Sequence, residues 1–254
     1  MMVMIVITTS TTAPPSTGTT STSTTKTSSS RIDITWRRTG GDSSLTIIQC
    51  FPNGKVVLEV GCGAGNTIFP LVTTYPKLFV HACDFSPHAI MLVKSHSDFN
   101  EERINAFVCN VVNDNLCNRI MPSSIDVITL VFMLSAVCPK KMPLILQNLK
   151  KVLKPNGHVL LRDYATGDYA QVELQNRNRM ISENFYVRGD GTCSFYFSED
   201  FLSTLFIRAG FSIVDMNIYC RQIENRSRNI TMGRYVQFLI ITLPLKCVLP
   251  VTSL

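Results

Sequence analysis

From Lys55 onward, short runs of consecutive apolar residues alternate with longer segments whose apolar positions recur every three or four residues. Val56–Val60, Leu78–Cys83, Ile104–Cys109, Ile125–Phe132 and His158–Leu161 are near-continuous apolar stretches of strand length. An unbroken run, rather than strict alternation, is what a strand needs when both faces of its sheet are covered. Thr67–Tyr75, Pro87–Ser97 and Lys140–Leu153 have helical length and spacing, and Lys154-Pro155-Asn156-Gly157 stops the last of them sharply. Strand–helix alternation of this kind predicts an α/β fold, a Rossmann-like, doubly wound parallel sheet.

After residue 162 the rhythm changes. Residues 184–188 and 193–197 are aromatic-rich and flank Gly189-Asp190-Gly191-Thr192, which predicts a hairpin with glycines where positive φ is needed. Ser198 is placed to cap a helix whose first turn holds Glu199 and Asp200, and Gly210 ends it. Ile213–Tyr219 and Tyr235–Ile241 read as the final strands. The α/β domain is therefore expected over residues 51–241, followed by an apolar tail, 242–254, broken by Pro244, Lys246 and Pro250. A strand with a frayed end accounts for that tail better than a membrane anchor.

The start of the chain is different. Of the 23 residues from 8 to 30, 18 are Ser or Thr, so residues 1–50 are expected to be a disordered, low-complexity segment. A cytoplasmic location is expected, with organelle import through this Ser/Thr-rich start as the alternative. The nine cysteines include no C-x-x-C pair, which removes a zinc ribbon or thioredoxin-like site. No metal is expected. The net charge of +6 is spread along the chain without a strongly basic segment, so it is compatible with an RNA partner but does not argue for one.

The chemistry is concentrated in Val57-Leu58-Glu59-Val60-Gly61-Cys62-Gly63-Ala64-Gly65-Asn66, a strand feeding a glycine-rich turn and then a helix. Glycines there let the backbone approach a ligand closely. The spacing is G-x-G-x-G, whereas the dinucleotide fingerprint is G-x-G-x-x-G and position 66 is Asn. Asp84 ends the second strand, 23 residues after Gly61, where a carboxylate can accept bonds from both ribose hydroxyls. Together these point to S-adenosylmethionine (SAM) as cofactor.

Gly61-Cys62-Gly63-Ala64-Gly65-Asn66 and Ala82-Cys83-Asp84-Phe85-Ser86-Pro87 resemble the class I SAM-dependent methyltransferases that form 3-methylcytidine in tRNA anticodon arms. The resemblance continues through residues 134–142, 149–164 and 183–202 and covers residues 55–237. It implies a methyltransferase with tRNA as partner, with a protein partner as a further option. By position it assigns Gly61 and Gly63 to the cofactor loop, Asp84 to the ribose, Asn110 and Val111 to the adenine, and Val131 to an apolar wall. Asn110 stands where the family has an Asp, and Cys138 where a His is usual. The family's upstream aromatic segment finds no match around Trp36, the only tryptophan.

Cytosine N3 has an in-plane lone pair, so methyl transfer needs alignment rather than a general base. Arg162-Asp163-Tyr164 follows the fifth predicted strand, where substrates meet cofactors in open α/β sheets. Asp163 is the candidate to offset charge arriving on the base, with Arg162 and Tyr164 as its companions. Tyr164 or Phe185 can stack on a splayed base, and Arg162, Arg177, Arg179 and Arg188 can meet phosphates. His81, His88, His96 and His158 read as structural, and Cys62, Cys83 and Cys109 as small apolar filler. Two alternatives stay open: a catalytically weakened relative that acts as an RNA- or protein-binding partner, and a methyltransferase for another small or protein substrate.

Overall fold

The structure is a computed structural model, and it describes residues 4–9, 32–37, 54–225 and 230–245. Within the segment expected to be disordered, β1 (Met4–Thr9) and β2 (Ile32–Arg37) pair antiparallel, both being runs rich in β-branched residues. The rest of residues 1–50, and the tail from 246, lie outside the described residues.

Seven strands form the central sheet: β3 (Val56–Val60), β4 (Phe79–Asp84), β5 (Ile104–Val108), β6 (Ile125–Val131), β7 (Leu153–Tyr164), β11 (Ser212–Asn225) and β12 (Ile230–Thr242). Their order across the sheet is β11-β12-β7-β6-β3-β4-β5. The five strands from β3 to β7 run parallel, and β12 lies antiparallel to both β7 and β11. The strand order reverses at β3, between β4 and β6, and such a switch point leaves a crevice at the carboxyl ends.

Both faces are covered, as the apolar runs require. On one, Ile68, Phe69, Leu71 and Val72 of α1 (Ile68–Thr74) and Ile90 and Val93 of α2 (Pro87–Lys94) pack on Val57, Val80, Ala82 and Leu160. On the other, α3 (Met142–Val152) and α5 (Glu199–Arg208) pack on Leu58, Val60, Ile128, Leu130 and Leu161. The chain also carries α4 (Tyr169–Asn176) and a small antiparallel sheet of β8 (Met180–Ser182), β9 (Phe185–Val187) and β10 (Cys193–Phe195). The expected hairpin is β9–β10, with Gly191 at φ +82°, and β8 is an added third strand. Ser198 caps α5 by accepting from Phe201 N at 3.2 Å, as expected.

One boundary difference matters for function. The fifth parallel strand is not His158–Leu161 but Leu153–Tyr164, so Arg162, Asp163 and Tyr164 lie inside it. They stay in the sheet because β12 pairs with them: Phe238 opposite Arg162, Gln237 opposite Asp163, Val236 opposite Tyr164. The strand expected at Tyr235–Ile241 is longer too, and its extra length belongs to a β11–β12 ribbon that runs past the end of β7.

Candidate active site

The glycine loop curls over the end of β4. Gly61 N and Cys62 N both donate to Cys83 O, at 2.8 and 3.1 Å. Gly61 has φ +72°, and a Cβ there would stand 2.5 Å from the Met133 side chain, so conformation and space both demand glycine. Asp84 fixes the loop from the other side: Gly63 N donates to Oδ2 at 3.0 Å and Ser86 N to Oδ1 at 2.9 Å. Ser86 in turn caps α2 by accepting from Ala89 N. One buried carboxylate thus ties the loop after β3 to the helix after β4.

These elements border a cavity of about 410 Å³ at the carboxyl ends of β3 to β6. Gly61, Asp84, Asn110 and Val111 line it together, so four of the six residues assigned to the cofactor meet at one place. Gly63 does not line it and acts through its bond to Asp84. Val131 does not line it either. Its neighbours Phe132 and Met133 do, because Phe132 adopts φ +51° at the end of β6 while its N–H donates to Arg162 O at 2.8 Å.

Asn110 is exposed at the rim. Its Oδ1 accepts from Val112 N at 3.1 Å, while its backbone N–H donates to Asp114 Oδ2 at 2.7 Å. The amide oxygen is held by its own turn, which leaves the Nδ2 hydrogens to face a ligand. Sequence reading missed the residue that holds this rim in place. Asn148 of α3 is buried, donates from Nδ2 to Val111 O (3.1 Å) and Asp114 O (2.6 Å), and accepts from Leu116 N. It also missed Phe85, 75% exposed at the cavity mouth, and Glu59. Glu59 is buried beneath the loop with Oε2 unpaired and Thr67 as its partner, and burial pushes its carboxyl up to about 8.

The three residues assigned to catalysis separate. Asp163 does not face open space: it is 0% exposed, with Ser135 N donating to Oδ2 and Tyr164 N to Oδ1, each at 2.9 Å. The Ser135 hydroxyl and the Leu134 N–H add to this set, yet burial prevails and raises the carboxyl to about 6. Its place in β7 makes it an anchor for the turn Leu134–Ala136, whose Ala136 lines the cavity, rather than a group that meets a base. Arg162 is buried on the opposite face, its guanidinium carbon 5.1 Å from the Phe132 ring centroid and 5.4 Å from that of Phe238. Its Nε and Nη1 have no hydrogen-bond partner, and burial pushes the group down to about 10. A guanidinium held this way supports Phe132 and is not presented to phosphate.

Tyr164 lies at the edge of open space. It lines a second cavity, of about 350 Å³, with Tyr169, Tyr196, Arg177, Arg188 and Arg234. Arg177 pairs with Glu173 at 3.0 Å and Arg234 with buried Asp168 at 2.9 Å, while the Arg188 guanidinium lies 6.0 Å from the Tyr164 ring centroid. Arg179 does not line it, and Phe185 is in the core. The Phe132 and Tyr164 rings are 4.9 Å apart, so one ring from each cavity builds the wall between the two. None of the four histidines lines either cavity, and burial lowers His81 and His158. Among the described residues, no three His, Cys, Asp or Glu side chains gather to hold a metal, and no helix is long and apolar enough to cross a membrane.

Known proteins place this architecture. A family model described as a methyltransferase domain matches residues 58–159. Among solved structures, a SAM-dependent methyltransferase of Methanosarcina mazei superposes with a TM-score of 0.61 at 20% identity, covering 80% of this chain and 99% of that one. The fold is that of the class I SAM-dependent methyltransferases. The tRNA N(3)-cytidine methyltransferase METTL6 of Rattus norvegicus is 44% identical over 178 residues, which are 70% of this chain and 62% of that protein. The chain therefore spans somewhat over three fifths of that relative. The tRNA N(3)-methylcytidine methyltransferase trm141 of Schizosaccharomyces pombe is 41% identical over 180 residues, 70% of this chain and 73% of the relative. At 41% identity over 180 residues, with 73% of that relative covered, the chain belongs to the tRNA N(3)-cytidine methyltransferase family.

Proposed function

We propose that this chain transfers a methyl group from SAM to N3 of a cytidine in tRNA. The observation that carries the reading is the shared wall: a cavity with a ribose-type acid on one side of Phe132–Tyr164, and a tyrosine- and arginine-lined cavity on the other. The names of the relatives supply the substrate and the position on the base.

The residues of the first cavity suit SAM. About 410 Å³ is in the range of small-molecule sites. Each Asp84 oxygen accepts one backbone N–H and keeps a lone pair for a ribose hydroxyl. Phe85 and Val111 offer apolar surface to an adenine, and the Asn110 Nδ2 hydrogens can reach an acceptor on its edge. Bound there, SAM supplies an electrophilic methyl on a sulfonium. What the chain itself does is orient and exclude water. Gly61 permits close approach, Phe132 and Met133 close the side toward β6, and Tyr164 gives an entering cytosine a face to stack on. The arginines hold the backbone of the RNA that carries it.

Asp84→Ala tests the cofactor half. It removes the charge-assisted bonds to Gly63 of the loop and to Ser86 before α2 as well as those to the ribose, so SAM affinity by calorimetry is expected to fall by about 10- to 100-fold, roughly 1.5–3 kcal/mol. An unchanged dissociation constant in a folded variant rules Asp84 out of the site. A parent chain that takes up no SAM at millimolar concentration would favour the binding-only relative instead. Arg188→Ala tests the RNA half. It is expected to leave SAM affinity unchanged, weaken tRNA binding several-fold and reduce the salt slope by about 1. Equal tRNA affinity and slope would move the RNA to another surface.

A further inference from the structure

We propose that Cys109 and Cys83 form an oxidisable pair in the wall of the first cavity: hydrogen peroxide oxidises Cys109, and Cys83 converts the product to a disulfide that blocks SAM. This rests on SAM occupying that cavity, as proposed above.

The placement follows from the sheet. β4 and β5 are parallel neighbours with Cys83 opposite Phe107, so Cys109, two residues further on, falls on the same face. Cys109 N donates to Asp84 O at 2.9 Å, which holds it beside the end of β4. The two side chains belong to one core cluster, and the Cys83 thiol hydrogen-bonds to the Cys109 sulfur. Their surroundings differ in the way a two-step oxidation needs. Both are buried, at 4% and 0% exposed, but Cys109 lines the cavity and Cys83 does not. The bond from Cys83 favours a thiolate on Cys109, and Arg119 adds to this against burial and Asp114. Donating that bond, burial, and the negative charges of the Cys109 thiolate and Asp84 hold the proton on Cys83. A cavity-facing thiolate is the attacking partner, and a protonated thiol behind it is the resolving one.

The chemistry balances with one peroxide. The Cys109 thiolate attacks a peroxide oxygen, the O–O bond breaks, and Cys109 becomes a sulfenic acid as hydroxide leaves. Cys83 sulfur then attacks Cys109 sulfur, the S–O bond breaks, and the departing hydroxide carries away the Cys83 proton as water. Two thiols and one hydrogen peroxide give one disulfide and two waters. The S–S bond, about 2.05 Å, is shorter than any thiol hydrogen bond, so closing it draws Cys109 toward β4. Asn110 and Val111 follow directly in the chain and line the same cavity, so the pocket changes shape where SAM would sit. Linkage requires the converse, that bound SAM slows the oxidation.

The test uses the full chain, reduced and then treated with stoichiometric hydrogen peroxide. SAM affinity is read by calorimetry before and after, and cysteine pairing by peptide mass spectrometry. The expected result is a Cys83–Cys109 disulfide, at least a tenfold loss of SAM affinity that dithiothreitol restores, and at least fivefold slower linkage when SAM is present. Cys83→Ala, checked for folding and given at least two equivalents of peroxide, should instead accumulate sulfinic acid on Cys109 that dithiothreitol does not reverse. Oxidation of other cysteines without this link overturns the proposal, as does a link that leaves SAM affinity unchanged. A reduced chain that fails to bind SAM before any peroxide is added overturns the functional reading, and this proposal with it, and shows which of the two was at fault.

Discussion

Asp163→Ala is expected to destabilise the fold by about 3–5 kcal/mol, the cost of breaking a buried, fully bonded carboxylate site. The substitution strands the Ser135 and Tyr164 N–H groups in the interior and opens a hole beside Gln237, itself buried. The loss is not confined to stability. Asp163 holds the turn Leu134–Ala136 against β7, and that turn carries part of the wall of the first cavity. SAM affinity, measured where the variant is still folded, should therefore drop along with the urea midpoint. Asp163→Asn should fall between the two, since its oxygen can take one donor while its NH₂ meets the other. A different result would restore the role expected from sequence. If Asp163→Asn keeps its stability and SAM affinity but methylates tRNA about 10²-fold more slowly, the carboxylate reaches the base in the working complex.

Glu59→Gln is expected to flatten the pH dependence of stability. Burial raises the Glu59 carboxyl from 4.5 to about 8 in the folded chain, so between those values the folded state carries a proton the unfolded state has lost. Stability then falls by about 1.4 kcal/mol per pH unit from pH 4.5 to pH 8 and levels off above it, about 5 kcal/mol in all. The direction is that of a group stabilising when protonated and costly when forced to ionise. Asp163, raised from 3.8 to about 6, adds a slope of the same sign at lower pH. Glutamine resembles the protonated acid and has no such slope, so parent and variant should diverge steadily between pH 6 and 8 in chemical denaturation. Parallel curves would mean that Glu59 ionises at an ordinary pH, with water or an ion beside Oε2.

Local patterns carried much of the fold and half of the site. Strands β3 to β6 are buried on both faces, and their apolar runs show it; the glycine turn and Asp84 are close in sequence to the strands that place them. What the sequence hid depends on distant pairing. Arg162-Asp163-Tyr164 looks like a polar loop, and it is held as strand only because residues 236–238 lie against it. No spacing rule would bring a charged pair inside a sheet. Asn148 sits on a helix face among leucines, and its function is visible only once the 111–116 loop passes over it. Phe132 entered the cavity in place of Val131 through a positive φ that an aromatic residue does not advertise.

The place of β12 in the sheet sets the order in which the site can be made. It is the last strand in the chain but not the last in the sheet, since it lies between β7 and β11. As the chain leaves the ribosome, β3 to β7 can assemble in sequence, each beside a neighbour already present. β7 then keeps an open edge while the 65 residues between it and β12 are synthesised, and that edge bears Asp163 and Tyr164. Those two residues take their final positions only when β12 arrives from far along the chain, a non-local pairing of the kind that forms slowly. The glycine loop and Asp84 are built early, whereas the Tyr164 wall and the turn that Asp163 anchors wait for β12, so a stalled or shortened chain would hold the loop without the far wall of either cavity.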